Sequence, residues 1–245
     1  MAVLDYEIGN LRSAQKALEH VGADARLTSD PDLIGVAAGV VLPGVGAFGR
    51  CMEALVATGL DAVAKDVVAA GTPFLGICVG MQLLHESSEE SPGVAGLGVL
   101  PGVVRRLPDG VKRPQMQWNV LERRGESRLL AGIPEPTWVY FVHSFAPEVT
   151  DHTVATCDYG GPVAAVSERE NVAATQFHPE KSGPCGLALL AGFVAALSER
   201  PGRGPGPDPV GERGERPGRR PTAGDMSERR ERGPSGPAAG RERAT

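Results

Sequence analysis

An apolar strand that runs straight into Gly76-Ile77-Cys78-Val79-Gly80, and from there into a helix, constrains this chain more than any other stretch. Residues 74–77 read as a strand buried on both faces, and residues 79–85 as the helix that follows. The turn between them has the form of a nucleophile elbow, glycine–x–nucleophile–x–glycine, with cysteine at its centre. Side chains at Gly76 and Gly80 are expected to clash with closely approaching backbone. Such a turn leaves Cys78 at the carboxyl end of a sheet, where open α/β folds place their ligands. The helix N-terminus favours a thiolate there. The Val79 backbone N–H is expected to face a developing oxyanion. Taken alone, the motif fits a buried apolar cysteine beside a packing turn equally well, so a partner base must decide.

Strands and helices alternate around the elbow. Residues 2–6 and 39–42 read as further buried strands, and 10–20, 47–57 and 60–70 as helices. Leu11, Ala14, Leu18 and Val21 share a face of the first helix, with Asn10 as its expected cap and Gly22 as its stop. From about residue 97 the pattern turns strand-rich, with candidates at 99–107, 118–122, 138–142, 154–157, 164–167 and 173–177. A last helix is expected at 186–197. That order predicts one α/β domain over residues 1–199, a largely parallel central sheet with an added antiparallel portion.

Composition changes near residue 200. Residues 201–245 hold eight Pro, ten Gly and ten Arg, and no aromatic residue, Leu or Ile. Such a segment cannot bury enough apolar surface to offset its ordering entropy, so residues 200–245 are expected to be a disordered tail. The net charge of −5 makes a general nucleic-acid binder a poor fit. No apolar run approaches the roughly 18–20 residues of a membrane span. Asp5 interrupts the apolar start, so no export signal is read. The cysteines (Cys51, Cys78, Cys157, Cys185) are scattered and lack paired metal-ligand spacing. A cytoplasmic protein with reduced thiols and no bound metal is expected.

A nucleophilic cysteine needs a base, and the base needs an orienting group. His178 follows the strand at 173–177 and precedes Pro179-Glu180. Proline biases the residue before it toward extended backbone. The period of two then points His178 and Glu180 the same way, so that Glu180 can hold the imidazole. By itself His-Pro-Glu also fits a strand end with an exposed carboxylate, and the pairing with the elbow is what favours catalysis. His20 reads as a helix-end residue, His85 as too far along its helix to reach Cys78, His143 as a weaker rival without a nearby carboxylate, and His152 as a turn residue. A second oxyanion donor is expected from the glycine-flanked turn Pro43-Gly44-Val45-Gly46, although a plain strand-to-helix turn would look the same.

Gly76-Ile-Cys78-Val-Gly-Met-Gln82 together with Gln176-Phe-His178-Pro-Glu180 resembles the class I, or triad, glutamine amidotransferase family. Asp5-Tyr6 with Gly9-Asn10-Leu11, Pro43-Gly-Val-Gly-Ala-Phe48, Tyr140-Phe-Val-His-Ser144 and the extension through Lys181-Ser182 narrow the resemblance. They are similar to the glutaminase subunits of imidazole glycerol phosphate synthase, over roughly residues 2–198. The resemblance implies a flavodoxin-like three-layer domain with a mixed central sheet, and no cofactor. It implies that Cys78 attacks the L-glutamine amide, that His178 moves the protons and that Glu180 orients His178. Val45 and Val79 would supply the oxyanion donors, and Gly46, Gln82, Glu90, Ser144 and Phe145 would contact glutamine. Ammonia would pass to a (β/α)₈-barrel cyclase subunit in a heterodimer, with Lys181 facing that partner. The Gly44–Val45 peptide would act as the switch that the partner sets. Another class I complex, or a non-catalytic module keeping the fold, are the rival readings. The intact triad argues against the second. The chain departs from the family pattern at Glu7, usually Gly, at Gln115 and Gln117, usually His and Gly, and at Phe145, usually Tyr. The Gly→Gln change at residue 117 adds a long side chain where the pattern leaves room for close backbone near the partner face.

Overall fold

A computed structural model of the protein describes residues 1–198. The expected tail lies outside the described residues. In chain order the elements are β1 (Ala2–Leu4), α1 (Leu11–His20), β2 (Arg26–Thr28), α2 (Pro31–Gly35), β3 (Val40–Gly44), α3 (Phe48–Ala57), α4 (Leu60–Ala69), β4 (Phe74–Cys78) and α5 (Val79–Leu83). The strand-rich half follows with β5 (Ser87–Ser88), β6 (Val103–Arg106), β7 (Gln115–Val120), β8 (Glu122–Arg123), β9 (Trp138–His143), β10 (Phe145–Pro147), β11 (Thr153–Asp158), β12 (Pro162–Arg169) and β13 (Val172–Thr175). A 3₁₀ turn at Pro179–Lys181 leads into α6 (Gly183–Ser198).

The main sheet has eight strands in the order β2-β1-β3-β4-β13-β12-β11-β8. Its first five strands are parallel, and β12, β11 and β8 add on antiparallel. This is the mixed sheet expected from the sequence. Strands β1, β3, β4 and β13 are buried at every position, which is why they read as unbroken apolar runs instead of alternating ones. The helices fall into two packed groups, α1 with α6 and α2 through α5. Phe48, Phe74 and Phe177 are among the largest wholly buried side chains, each worth about 1.5–3 kcal/mol on the usual area scale.

Several local expectations needed correction. Strand β2 was not foreseen, because it is a half-exposed edge carrying Arg26 and Thr28 and has no apolar run. Helix α2 was also missed, although Asp30 caps it through the amides of Asp32 and Leu33 and Pro31 opens it. Asn10 stands at the N-cap of α1, but its side chain makes no capping bond. It accepts instead from the Ser13 hydroxyl at 2.7 Å. Helix α5 stops at Leu83, since the next carbonyls serve the amides of residues 97–100. The candidate at 99–107 shortens to β6, and 118–122 divides into β7 and β8. Gly22 ends α1 as expected, with φ +94° and the Ala23 amide bonded back to Leu18.

Candidate active site

The turn at Cys78 is strained. Cys78 ends β4 with φ +56° and ψ −111°, a conformation rare for a residue with a side chain. The flanking glycines make room for it. A Cβ at Gly80 would overlap the Leu42 carbonyl, and one at Gly76 would lie 3.0 Å from the Gly80 oxygen. Parallel pairing sets Gly44 opposite Cys78, so the Pro43–Gly46 turn sits beside the elbow. The next strand, β13, pairs with β4 on its other side, and His178 follows three residues after its end.

His178 and Glu180 meet, though not by the strand period expected from the sequence. Residue 178 has extended backbone and starts the 3₁₀ turn, which folds Glu180 back on it. His178 Nδ1 lies 2.7 Å from Glu180 Oε1, and both side chains are buried. A carboxylate accepts, so Nδ1 carries the proton and Nε2 is the working atom. The Ser182 hydroxyl donates to the His178 carbonyl at 2.6 Å and receives the Tyr140 amide at 2.9 Å, which fixes the turn to β9. Burial alone would lower the His178 pKa, but the Cys78 sulfur and the Glu180 carboxylate outweigh it and raise it to about 9. Nε2 has no hydrogen-bond partner of ordinary geometry.

Cys78 and His178 line one cavity of about 450 Å³. Val45, Gly46, Val79, Gln82, Glu90, Ser144, Phe145 and Lys181 line it too. Glu180 stands behind the ring of His178. Glu90 also serves the backbone: its Oε2 receives the Phe48 amide at 2.8 Å, while Ser91 receives the Gly49 amide at 2.9 Å. These two side chains cap α3 and so steady the turn before it. Two more bonds hold that turn from beneath. The Tyr6 hydroxyl donates to the Pro43 carbonyl at 2.7 Å, and the Cys51 thiol to the Val45 carbonyl at 3.4 Å. Burial raises the Tyr6 pKa and pushes the Cys51 thiol up to about 11, so both remain donors. The peptides on either side of Gly44–Val45 are thus pinned, and the peptide between them is bounded by two fixed planes.

Two residues escaped the sequence reading. His143, set aside as a weak rival, lines the cavity next to His178. Its Nδ1 is 2.9 Å from the Phe145 carbonyl, and burial holds its pKa down at about 4, so it is neutral. Its place on the inward face of β9 was the available signal. Gln176 is wholly buried and donates from Nε2 to the Cys78 sulfur at 3.8 Å. It lay inside the histidine motif without a role. The other histidines are elsewhere: His20 ends α1, His85 is buried against the Pro101 carbonyl, and His152 sits in a turn. Among the described residues no cluster of acidic, histidine or cysteine side chains has the arrangement of a metal site. Gln115 is fully buried, with Oε1 unpartnered, and Gln117 is exposed, so its length meets no packed backbone.

A strained cysteine, a carboxylate-held imidazole and a glycine turn thus meet around one cavity. The glutamine amidotransferase class-I family model matches residues 2–196, and the chain belongs to that family. It is 49% identical over 198 residues to imidazole glycerol phosphate synthase subunit HisH of Methanothermobacter thermautotrophicus, covering 80% of this chain and 98% of that one. It is 45% identical over 195 residues to subunit HisH of Symbiobacterium thermophilum, covering 79% and 92%. A chain in the structure of PurLQS from Thermotoga maritima has the same fold, with a TM-score of 0.63 at 19% identity, covering 80% of this chain and 97% of that one.

Proposed function

We propose that this chain is the glutaminase subunit of imidazole glycerol phosphate synthase. It hydrolyses glutamine to glutamate and ammonia, and delivers the ammonia to a cyclase subunit that forms imidazole glycerol phosphate and an aminoimidazole carboxamide ribonucleotide. The observation that carries this reading is His178, held by Glu180, sharing a cavity with a strained Cys78.

The Cys78 sulfur attacks the carboxamide carbon, and the C=O electron pair becomes an oxyanion facing the Val45 and Val79 amides. His178, charged near neutral pH, gives its Nε2 proton to the leaving nitrogen. Ammonia departs and a glutamyl thioester remains. The sulfur has then lost its charge, so one of the two influences that raise the His178 pKa is gone. The ring becomes a base again, takes a proton from water, and the resulting hydroxide frees glutamate. Glu180 keeps Nδ1 protonated through both halves. Gly46, Gln82, Glu90, Ser144 and Phe145 are the glutamine contacts.

The cyclase is a (β/α)₈ barrel that binds as a heterodimer partner in the cytoplasm, with no nucleic acid or membrane involved. Two features support a docking face beside the cavity. Lys181 is exposed there, and the β7–β9 ribbon exposes Met116, Trp118 and Trp138. In the complex, Cys78→Ser should abolish glutamine-dependent product formation while leaving ammonia-dependent formation intact. Retained glutamine-dependent synthesis would remove Cys78 from the mechanism.

A further inference from the structure

A chain of side-chain amides ends at the nucleophile, and its direction is set from the far end. The Phe145 carbonyl can only accept, and the Gln82 side chain reaches it at 2.8 Å. The atom of Gln82 that faces it must therefore be nitrogen. The second proton of that nitrogen points to Gln176 at 3.1 Å, so the near atom of Gln176 must be its oxygen. Gln176 is then obliged to turn its NH₂ toward Cys78, where Nε2 stands 3.8 Å from the sulfur. One backbone carbonyl thus fixes two amide orientations and aims a donor at the nucleophile. His143 Nδ1 reaches the same carbonyl at 2.9 Å and helps to hold it in place. Gln82 and Gln176 are both buried, so bulk water does not compete for these bonds.

We infer that Gln176 is a catalytic residue whose carboxamide N–H donates to the Cys78 sulfur and favours the thiolate, with its orientation imposed by the Phe145 carbonyl through Gln82. The physical basis is an asymmetry. A neutral thiol is a weak acceptor and a thiolate a strong one, so a fixed donor gains when the sulfur ionises. The imidazolium of His178 acts in the same direction. Cys78 and Gln82 stand on either side of the β4–α5 turn, Gln176 comes 98 residues after Cys78, and the pairing of β4 with β13 brings it to them. This inference rests on the reading of Cys78 as the glutaminase nucleophile.

Iodoacetamide alkylation of the full chain, located by peptide mass spectrometry, reads the Cys78 thiolate without turnover. Gln176→Met keeps the length and burial of the side chain and removes the donor. Its Cys78 should react about tenfold more slowly near pH 7, the worth of one hydrogen bond to a charged group. Near pH 10, where a thiol ionises unaided, the rate should come within about twofold of wild type. Gln82→Met frees Gln176 to rotate and should give a smaller deficit with the same pH pattern. It decides the question if Gln176→Met fails to fold by circular dichroism. Unchanged rates near pH 7, or an equal slowing at both pH values, would overturn the inference, because the latter marks altered shape and not charge. Failure of the underlying reading looks different: Cys78→Ala would keep hydrolysing glutamine whatever the alkylation rates were.

Discussion

Glu7 has φ +66°, a left-handed conformation that costs a residue with a side chain roughly 1–2 kcal/mol. That explains why the family pattern has glycine there. The side chain is exposed, and only its amide is engaged, by Asp5 at 3.2 Å. Glu7→Gly should therefore stabilise the protein by about 0.5–1 kcal/mol in urea unfolding, the strain relieved less the entropy glycine adds. A loss of stability would show that the carboxylate makes a stabilising interaction of its own. His178 gives a pH signature. Its imidazolium persists up to about pH 9, and acylation needs that proton, so kcat/KM for glutamine should fall as pH rises through about 9. Glu180 is one of the two groups that raise this pKa. Glu180→Gln should move the alkaline limb to lower pH as well as lowering the rate, by about 10²–10⁴-fold on the triad precedent. An unmoved limb would mean that the limb reports some other group.

At the scale of elements, the Pro43–Gly46 turn is the most closely controlled piece of backbone near the cavity. Tyr6 from the loop after β1, Cys51 from α3 and Glu90 from the loop after β5 each hold one of its peptides or the helix it opens. Tyr6→Phe would leave the Pro43 carbonyl buried without its donor. A loss of about 1–3 kcal/mol of unfolding free energy in urea is expected, and no loss would mean that water replaces the hydroxyl. The strands flanking this turn were legible in the sequence because β3 and β4 are buried on both faces and carry no polar interruption. Elements that owe their form to pairing or capping were not. Strand β2 is an edge held by its neighbour, β10 is three residues held by β6, and the 3₁₀ turn at Pro179–Lys181 looks extended from Pro179 alone. That Cys78 and His178 would come near each other was legible even so, since the cysteine ends one buried strand and the histidine follows shortly after another. What brings Glu180 back to the ring is a turn that no periodicity signals.

Across the whole molecule, the site is assembled by parallel pairing. Register sets Gly44 against Cys78 and Thr175 against Ile77, so three strand ends bring their following residues to one edge of the sheet. The cavity residues found by family resemblance all come to that edge, whereas His143 and Gln176 did not announce themselves. His143 lacks an acidic neighbour in sequence, and the bond from Gln176 to sulfur exists only once β13 lies beside β4. Beside the cavity lies the apolar ribbon of β7 and β9, where Trp118 packs edge-on against Tyr140 with ring centroids 6.1 Å apart. An uncovered face of that kind suits a subunit that works inside a complex. The mechanism depends on one covalent event. The complex with the cyclase, quenched in acid during glutamine turnover and digested for peptide mass spectrometry, should carry a glutamyl group on the peptide containing Cys78 and on no other. A glutamyl group on another residue, or steady hydrolysis with Cys78 never modified, would contradict it.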